Sequence, residues 1–168
     1  MRRIAFGFLA VALLTTAMVA SSTQGASATG NQKKHAATSI QKKNSAKATD
    51  TSNSSDLIKE ARRWLGTNPT GWSHVWCARF MNFVLRRTGH PESGSDAASS
   101  FANYGRRLWF PQVGAIAVMK RGRNGGHVGV VTGFDDEGNP IIISGNHNKR
   151  VGVGVYPRER VYAYVVPN

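Results

Sequence analysis

Cys77, His127 and Asn146, in that order along the chain, are residues whose types suit covalent chemistry at an amide. Cys77 opens the run WCARFMNFVL. A helix starting there presents unpaired N–H groups and a partial positive charge, which favours thiolate over thiol, and the thiolate is the nucleophile. The bland alternative is a core cysteine, since Cys77 also falls on an apolar helical stripe and free Cys is usually buried and inert. His127 lies 50 residues further on, in RGRNGGHVGVVTG, where Gly125, Gly126 and Gly129 leave space around the imidazole. A nucleophilic Cys needs a base at hydrogen-bond distance; a lone strand histidine is otherwise structural or solvated. Asn146 stands in IIISGNHNKR, just past the next strand. Its side-chain oxygen suits the second imidazole nitrogen, fixing tautomer and orientation. Turn chemistry alone also accounts for SGNHN, and His147 and Asn148 are rival orienters.

The elements that must position these residues run helices first, strands second. Asp56 caps a helix through Leu65, with Leu57, Ile58, Ala61 and Leu65 on one face and Gly66 as its stop. A Gly/Pro/Thr loop follows over residues 66–73. Cys77, Phe80, Met81, Val84 and Leu85 then recur at i, i+3, i+4, i+7 and i+8, with Arg79, Asn82 and Arg86 on the other face and Gly89 as the end. Ser95 or Asp96 caps a third helix up to Tyr104. Beyond Pro111 the Val- and Ile-rich runs 115–119, 128–134, 141–144, 151–156 and 161–166 read as strands. Short turns such as DDEGNP make the sheet mostly antiparallel. The expectation is an α+β fold, N-terminal helices packed on a five- to six-stranded sheet. If the strands of His127 and Asn146 are neighbours, the two side chains meet.

The chain has 168 residues, 22 Lys+Arg against 9 Asp+Glu, and a net charge of +13. Much of that charge lies outside the domain. Met1-Arg2-Arg3, an uncharged run over residues 4–20 and small residues after it have the pattern of a secretory signal, with cleavage near 20 or 28. An uncleaved anchor is the rival, at the lower limit of a spanning length. Residues 29–55 carry Lys33, Lys34, Lys42, Lys43 and Lys47 against Asp50 and hold no aromatic residue. Such a stretch cannot bury enough apolar surface to order itself, and reads as a disordered basic linker. Residues 56–168 form the domain, enough for one small core. One Cys excludes a disulfide framework, a multi-Cys zinc or iron–sulfur site and an N-terminal lipoprotein anchor. No H-E-x-x-H, P-loop, zinc-finger, RRM or helix-turn-helix signature is present, so neither a metal, a cofactor nor a specific nucleic-acid partner is expected.

The segments VWCARFMNFVL, PQVGAIAVMKRGRNGGHVGVVTG and IIISGNHNKRVGVGVYPRERVYAYVVP resemble the papain-like cell-wall hydrolases of the CHAP class (cysteine- and histidine-dependent amidohydrolases/peptidases), close to the NlpC-type peptidases. The resemblance covers about residues 57–167. It implies a papain-like fold with Cys77 as nucleophile, His127 as base and Asn146 as the polar third member. It implies amide hydrolysis in peptidoglycan, with the Cys77 backbone N–H as oxyanion donor. One departure is Gly114-Ala115-Ile116, where relatives often have Gly-Asp-Ile; a local turn or substrate contact is affected, not the triad.

Trp72, His74 and Trp76 flank the nucleophile and are candidates to line the substrate groove, with core packing the alternative, evenly weighed for Trp76. His35 and His90 are expected on solvated segments. The implied protein is an exported monomer of the periplasm or cell exterior, associated with the envelope, its linker drawn to anionic envelope polymers. The rival functions are a non-catalytic wall-binding module on the same fold, a basic binder of nucleic acid or anionic polysaccharide, and acyl transfer to an amine by the same site.

Overall fold

Two apolar periodicities, helical in the first half of the domain and alternating in the second, build two layers. The computed structural model describes residues 52, 54–123 and 125–168. The leader expected over residues 1–28 lies outside these, as does the linker apart from residues 52, 54 and 55. Among the described residues no helix is long and apolar enough to cross a membrane.

Helix α1 spans residues 54–63 and buries Leu57 and Ala61 completely. Leu65, expected on the same face, has left the helix and is 41% exposed. Its segment bridges to a strand edge instead: the Gly66 N–H donates to the Val151 carbonyl at 2.9 Å, and the Val151 N–H donates to the Thr67 carbonyl at 2.7 Å. Helix α2, Cys77–Arg87, buries the expected stripe, with Phe80, Met81, Val84 and Leu85 fully inside. Gly89, at φ +80°, adopts the left-handed conformation that ends it. Asn82, expected on the outer face, is buried; its amide donates to the Ser95 carbonyl at 2.9 Å and accepts from the Ser93 N–H at 2.9 Å. It pins the following loop to the helix. The third helix is shorter and tighter than expected, a 3-10 turn at Ala98–Asn103. There the Ser100 hydroxyl donates to the Ala97 carbonyl at 2.8 Å, a local bond that competes with α-helical pairing.

The strands are β1 (Arg106–Arg107), β2 (Ile116–Arg121), β3 (Gly125–Phe134), β4 (Pro140–His147), β5 (Arg150–Val155) and β6 (Val161–Val166). They form one six-stranded sheet in the order β1-β6-β2-β3-β4-β5, with every neighbouring pair antiparallel. The fold is α+β, helices on an antiparallel sheet, consistent with a papain-like architecture. Only β1 has no signal of its own; two arginines become a strand by pairing with Val165 and Val166. Between β3 and β4 the Asp135 carboxylate accepts from the N–H groups of Glu137 and Asn139, at 3.1 and 2.7 Å, which closes the DDEGNP turn.

Strand alternation divides the core. Ile116, Val118, Val128, Val130 and Ile143 pack with the helices around Trp76, Phe80 and Phe101. Ala117, Met119, Val131 and Ile142 form a second, smaller cluster with Phe134, Tyr156 and Tyr164.

Candidate active site

Cys77 is the first residue of α2, and the N-cap Trp76 provides no side-chain hydrogen bond to the helix start. No acidic side chain stands in the first turn. The first N–H groups of this helix are therefore uncapped by side chains. Cys77 is 1% exposed and unpaired. Burial pushes its thiol pKa up; the backbone N–H groups of Val128, Ala78 and Cys77 itself, with the Arg121 charge, pull the other way without cancelling it. The expectation that the helix start favours a resting thiolate is thus corrected: desolvation outweighs the helix terminus, and the resting group is the thiol. The contact with Val128 places the sulfur against strand β3, one residue along from His127.

His127 is 3% exposed. The β2–β3 register sets it opposite Met119. Its Nε2 lies 2.9 Å from the Ser144 hydroxyl and 3.2 Å from the Tyr156 hydroxyl. Tyr156 also stands 3.2 Å from Nδ1 of His147 and 3.4 Å from Ser144. The other imidazole nitrogen, Nδ1, is buried with no hydrogen-bond partner; no hydrogen bond joins it to Cys77. Burial lowers the His127 pKa to about 4, with the positive charge of Arg121, His147 and Arg160 adding to the effect. At neutral pH the ring is uncharged, with one nitrogen held and one bare.

Two glycines permit this packing. A Cβ on Gly129 would stand 2.4 Å from the Ile143 carbonyl oxygen, so only glycine lets β4 close on β3 there. A Cβ on Gly145 would meet Phe80 Cβ at 2.5 Å and the Trp76 ring at 2.8 Å, so β4 lies directly on α2 beside Ser144.

Asn146 lines the same cavity as His127, a space of about 240 Å³, but makes no hydrogen bond to it. The cause is local. The β3–β4 register pairs Val130 with Ile143, which sets Ser144 across from Gly129 and diagonal to His127, where its hydroxyl reaches Nε2. The β4–β5 pairing then slips between Ser144 and His147, and Asn146 sits at φ +55° in the left-handed region. The rivals differ from each other. His147 joins the network through Tyr156, whereas Asn148 is exposed on the cavity rim.

The three flanking residues have separate fates. Trp76 is in the core, 1% exposed, its ring edge-on to Phe80 at 6.4 Å; it lines no open groove. Trp72 is 52% exposed, with the Arg79 guanidinium 3.9 Å over its ring, and Arg79 also pairs with Asp96. His74 is exposed, its Nδ1 2.8 Å from the Ser73 hydroxyl. Among the described residues no group of three His, Cys, Asp or Glu side chains is arranged to hold a metal ion.

Sequence reasoning missed Ser144, Tyr156, Arg121 and Arg160. Ser144 had a signal, since it shares strand parity with Asn146 and therefore its face. Tyr156 had none, because it arrives from beyond the next strand.

A free cysteine at a helix start, packed against a strand that carries a buried histidine, within helices laid on an antiparallel sheet, defines the papain-like class. Residues 69–146 match the family model of the CHAP domain. The chain carries a CHAP domain, a family of papain-like cell-wall amidases and peptidases that are typically extracellular. The match takes in Cys77, His127, Ser144 and Asn146; Tyr156 and Arg160 lie beyond it. No curated protein and no solved structure matches the chain.

Proposed function

We propose that this protein is a secreted cysteine hydrolase that cuts an amide bond of peptidoglycan, as a stem-peptide endopeptidase or an N-acetylmuramoyl-L-alanine amidase. The observation that carries the reading is the buried, partnerless Nδ1 of His127. A buried polar atom without a partner costs free energy. It is tolerated where the atom has a transient duty, and here a free thiol is lodged beside the same strand.

The two hydroxyls on Nε2 support a tautomer. With Nε2–H donating to Ser144 and the Tyr156 O–H donating to His147, Nδ1 is left as a lone pair. Cys77 Sγ attacks the carbonyl carbon as Nδ1 takes the thiol proton, so no resting ion pair is required. The carbonyl oxygen becomes an oxyanion at the Cys77 N–H, a donor of the kind worth roughly 3 kcal/mol. The imidazolium returns the proton to the departing amine and leaves a thioester. Water, deprotonated by the same nitrogen, then releases the acid. Asn146, at the wall of the same cavity but not bonded to the imidazole, is the polar third member, while Ser144 and Tyr156 hold Nε2. In this reading residues 1–28 are the export signal, 29–55 a basic tether to the envelope, and 56–168 the catalytic domain.

The test is digestion of purified peptidoglycan by the full chain beside Cys77→Ala, read by mass spectrometry. New fragments from the wild type alone are expected, and their masses name the bond. Wall pull-down by both proteins without fragments from either would replace the hydrolase with a wall-binding module.

A further inference from the structure

The cavity beside His127 holds more positive charge than the reaction asks for. Arg121 and Arg160 both line it, together with His147, Asn146 and Tyr156, and no acidic side chain does. The four ion pairs among the described residues engage Glu60, Glu92 and Asp96 with other arginines. Arg160 is fixed rather than free: its Nε and Nη2 donate to the Lys120 carbonyl at 3.2 and 2.9 Å, leaving its remaining donors in a set direction. Arg121 is carried at the end of β2, opposite Gly125, and its charge is felt by both Cys77 and His127. The pair therefore stands beside the proposed base, in a cavity that borders the Nε2 side of its ring and that Cys77 does not line.

We propose that this cavity is a carboxylate subsite, in which Arg121 and Arg160 hold a free carboxylate carried by the substrate peptide next to the scissile amide. The inference rests on the hydrolase reading and adds a substrate class to it, an acidic peptide amide. Guanidinium groups suit carboxylates by geometry and charge, and a fixed guanidinium binds with less ordering cost. The subsite also answers a difficulty in the mechanism. Two cations beside the base oppose formation of its imidazolium. A carboxylate seated between them offsets that field, so the base takes its proton more readily once the correct substrate is in place.

The experiment compares two peptidoglycan preparations, one with free stem-peptide carboxylates and one with those groups converted to carboxamides. The full chain is assayed as wild type, as the double variant Arg121→Gln/Arg160→Gln, and as Arg121→Lys/Arg160→Lys, with thermal melting to check folding. The wild type is expected to favour the carboxylate form by about tenfold or more in kcat/KM. The glutamine pair brings that ratio near one, and the lysine pair lies between. A wild-type ratio near one, or an undiminished ratio in the glutamine pair, overturns the subsite. If the wild type cuts neither preparation, the hydrolase reading has failed, and calorimetry decides the subsite alone. The probes are a soluble acidic wall tripeptide and its carboxamide. Tighter binding of the acidic form, lost in the glutamine pair, upholds the subsite; equal or undetectable binding of the two overturns it.

Discussion

The Tyr156 hydroxyl stands 3.2 Å from Nε2 of His127 and, on its other side, 3.2 Å from Nδ1 of His147. One phenol links the buried imidazole to a second, partly exposed one. The His147 ring is itself seated on the glycine face of β5; a Cβ on Gly152 or Gly154 would come within 2.6 or 2.9 Å of it. The network sets the ring orientation of His127 from the side opposite its bare nitrogen.

Removing the hydroxyls tests that role. Tyr156→Phe and Ser144→Ala each lower kcat on peptidoglycan roughly three- to tenfold, the value of one hydrogen bond, and the double variant loses more than either. Asn146→Ala, measured alongside, is expected to lose a comparable factor. A double variant with wild-type kcat would show that the imidazole is held by something else.

The His127 pKa of about 4, against an ordinary value near 6.5, has a consequence for stability. The unfolded chain takes up the proton first, so acidification between about 6.5 and 4 favours unfolding, by up to about 3 kcal/mol. Above 6.5 neither state is protonated and the contribution vanishes. Denaturant titrations from pH 7 to pH 4 are expected to show wild-type stability falling more steeply than that of His127→Gln. The difference between the two proteins separates His127 from His90, whose pKa is also lowered by burial. The acid limb of kcat/KM is expected near pH 4 rather than 6.5; a limb at 6.5 would mean that the base is solvated in the working protein.

Gly145→Ala is expected to destabilise the fold by about 1–3 kcal/mol, because the new methyl has no free space between Phe80 and the Trp76 ring. Thermal melting reads this as a clear drop in Tm. Activity should fall as well, since the same shift moves Ser144 off His127. An unchanged Tm would mean that β4 and α2 are not in contact there.

Glu60 supplies a test away from the site. Its carboxylate is buried and accepts from Trp64 Nε1 at 3.0 Å, from Arg63 at 3.1 Å and from Arg87. Burial pushes its pKa up, but the bonds from Trp64 and Arg87 and the two arginine charges outweigh that and hold it below the usual carboxylate value. A depressed carboxyl stabilises above its unfolded pKa and stops doing so as pH falls through the folded one. Glu60→Gln is therefore expected to cost about 1–2 kcal/mol at pH 7, discounted for the half-exposed arginines. The cost should shrink below pH 4. An equal cost at pH 7 and pH 3 would assign the loss to packing instead of charge.

The residues themselves show why some of the site was legible and some was not. The buried stripe of α2 repeats with helical period, so Cys77 could be set at a helix start from spacing alone. Val and Ile alternation marked β3 and β4 as strands, which placed His127 and Asn146 on separate elements. Asn82 was misjudged because a polar side chain on a helix gives no sign of the loop carbonyl and N–H that satisfy it. Trp76 was ambiguous for the converse reason, since an aromatic beside a nucleophile reads the same in a core and in a groove.

Local periodicity and residue chemistry thus determined the α+β order, the helix that begins at Cys77 and the histidine strand, because each depends on interactions within a few residues. The tertiary structure alone decided what surrounds the imidazole. Strand register sets Ser144 diagonal to His127, a slip between β4 and β5 falls where Asn146 would stand opposite it, and the chain's return after β5 brings Tyr156 and Arg160 from outside the matched family segment. The burial that keeps the Cys77 thiol protonated and the His127 ring neutral is likewise a sum over many distant neighbours, and no run of residues encodes it locally.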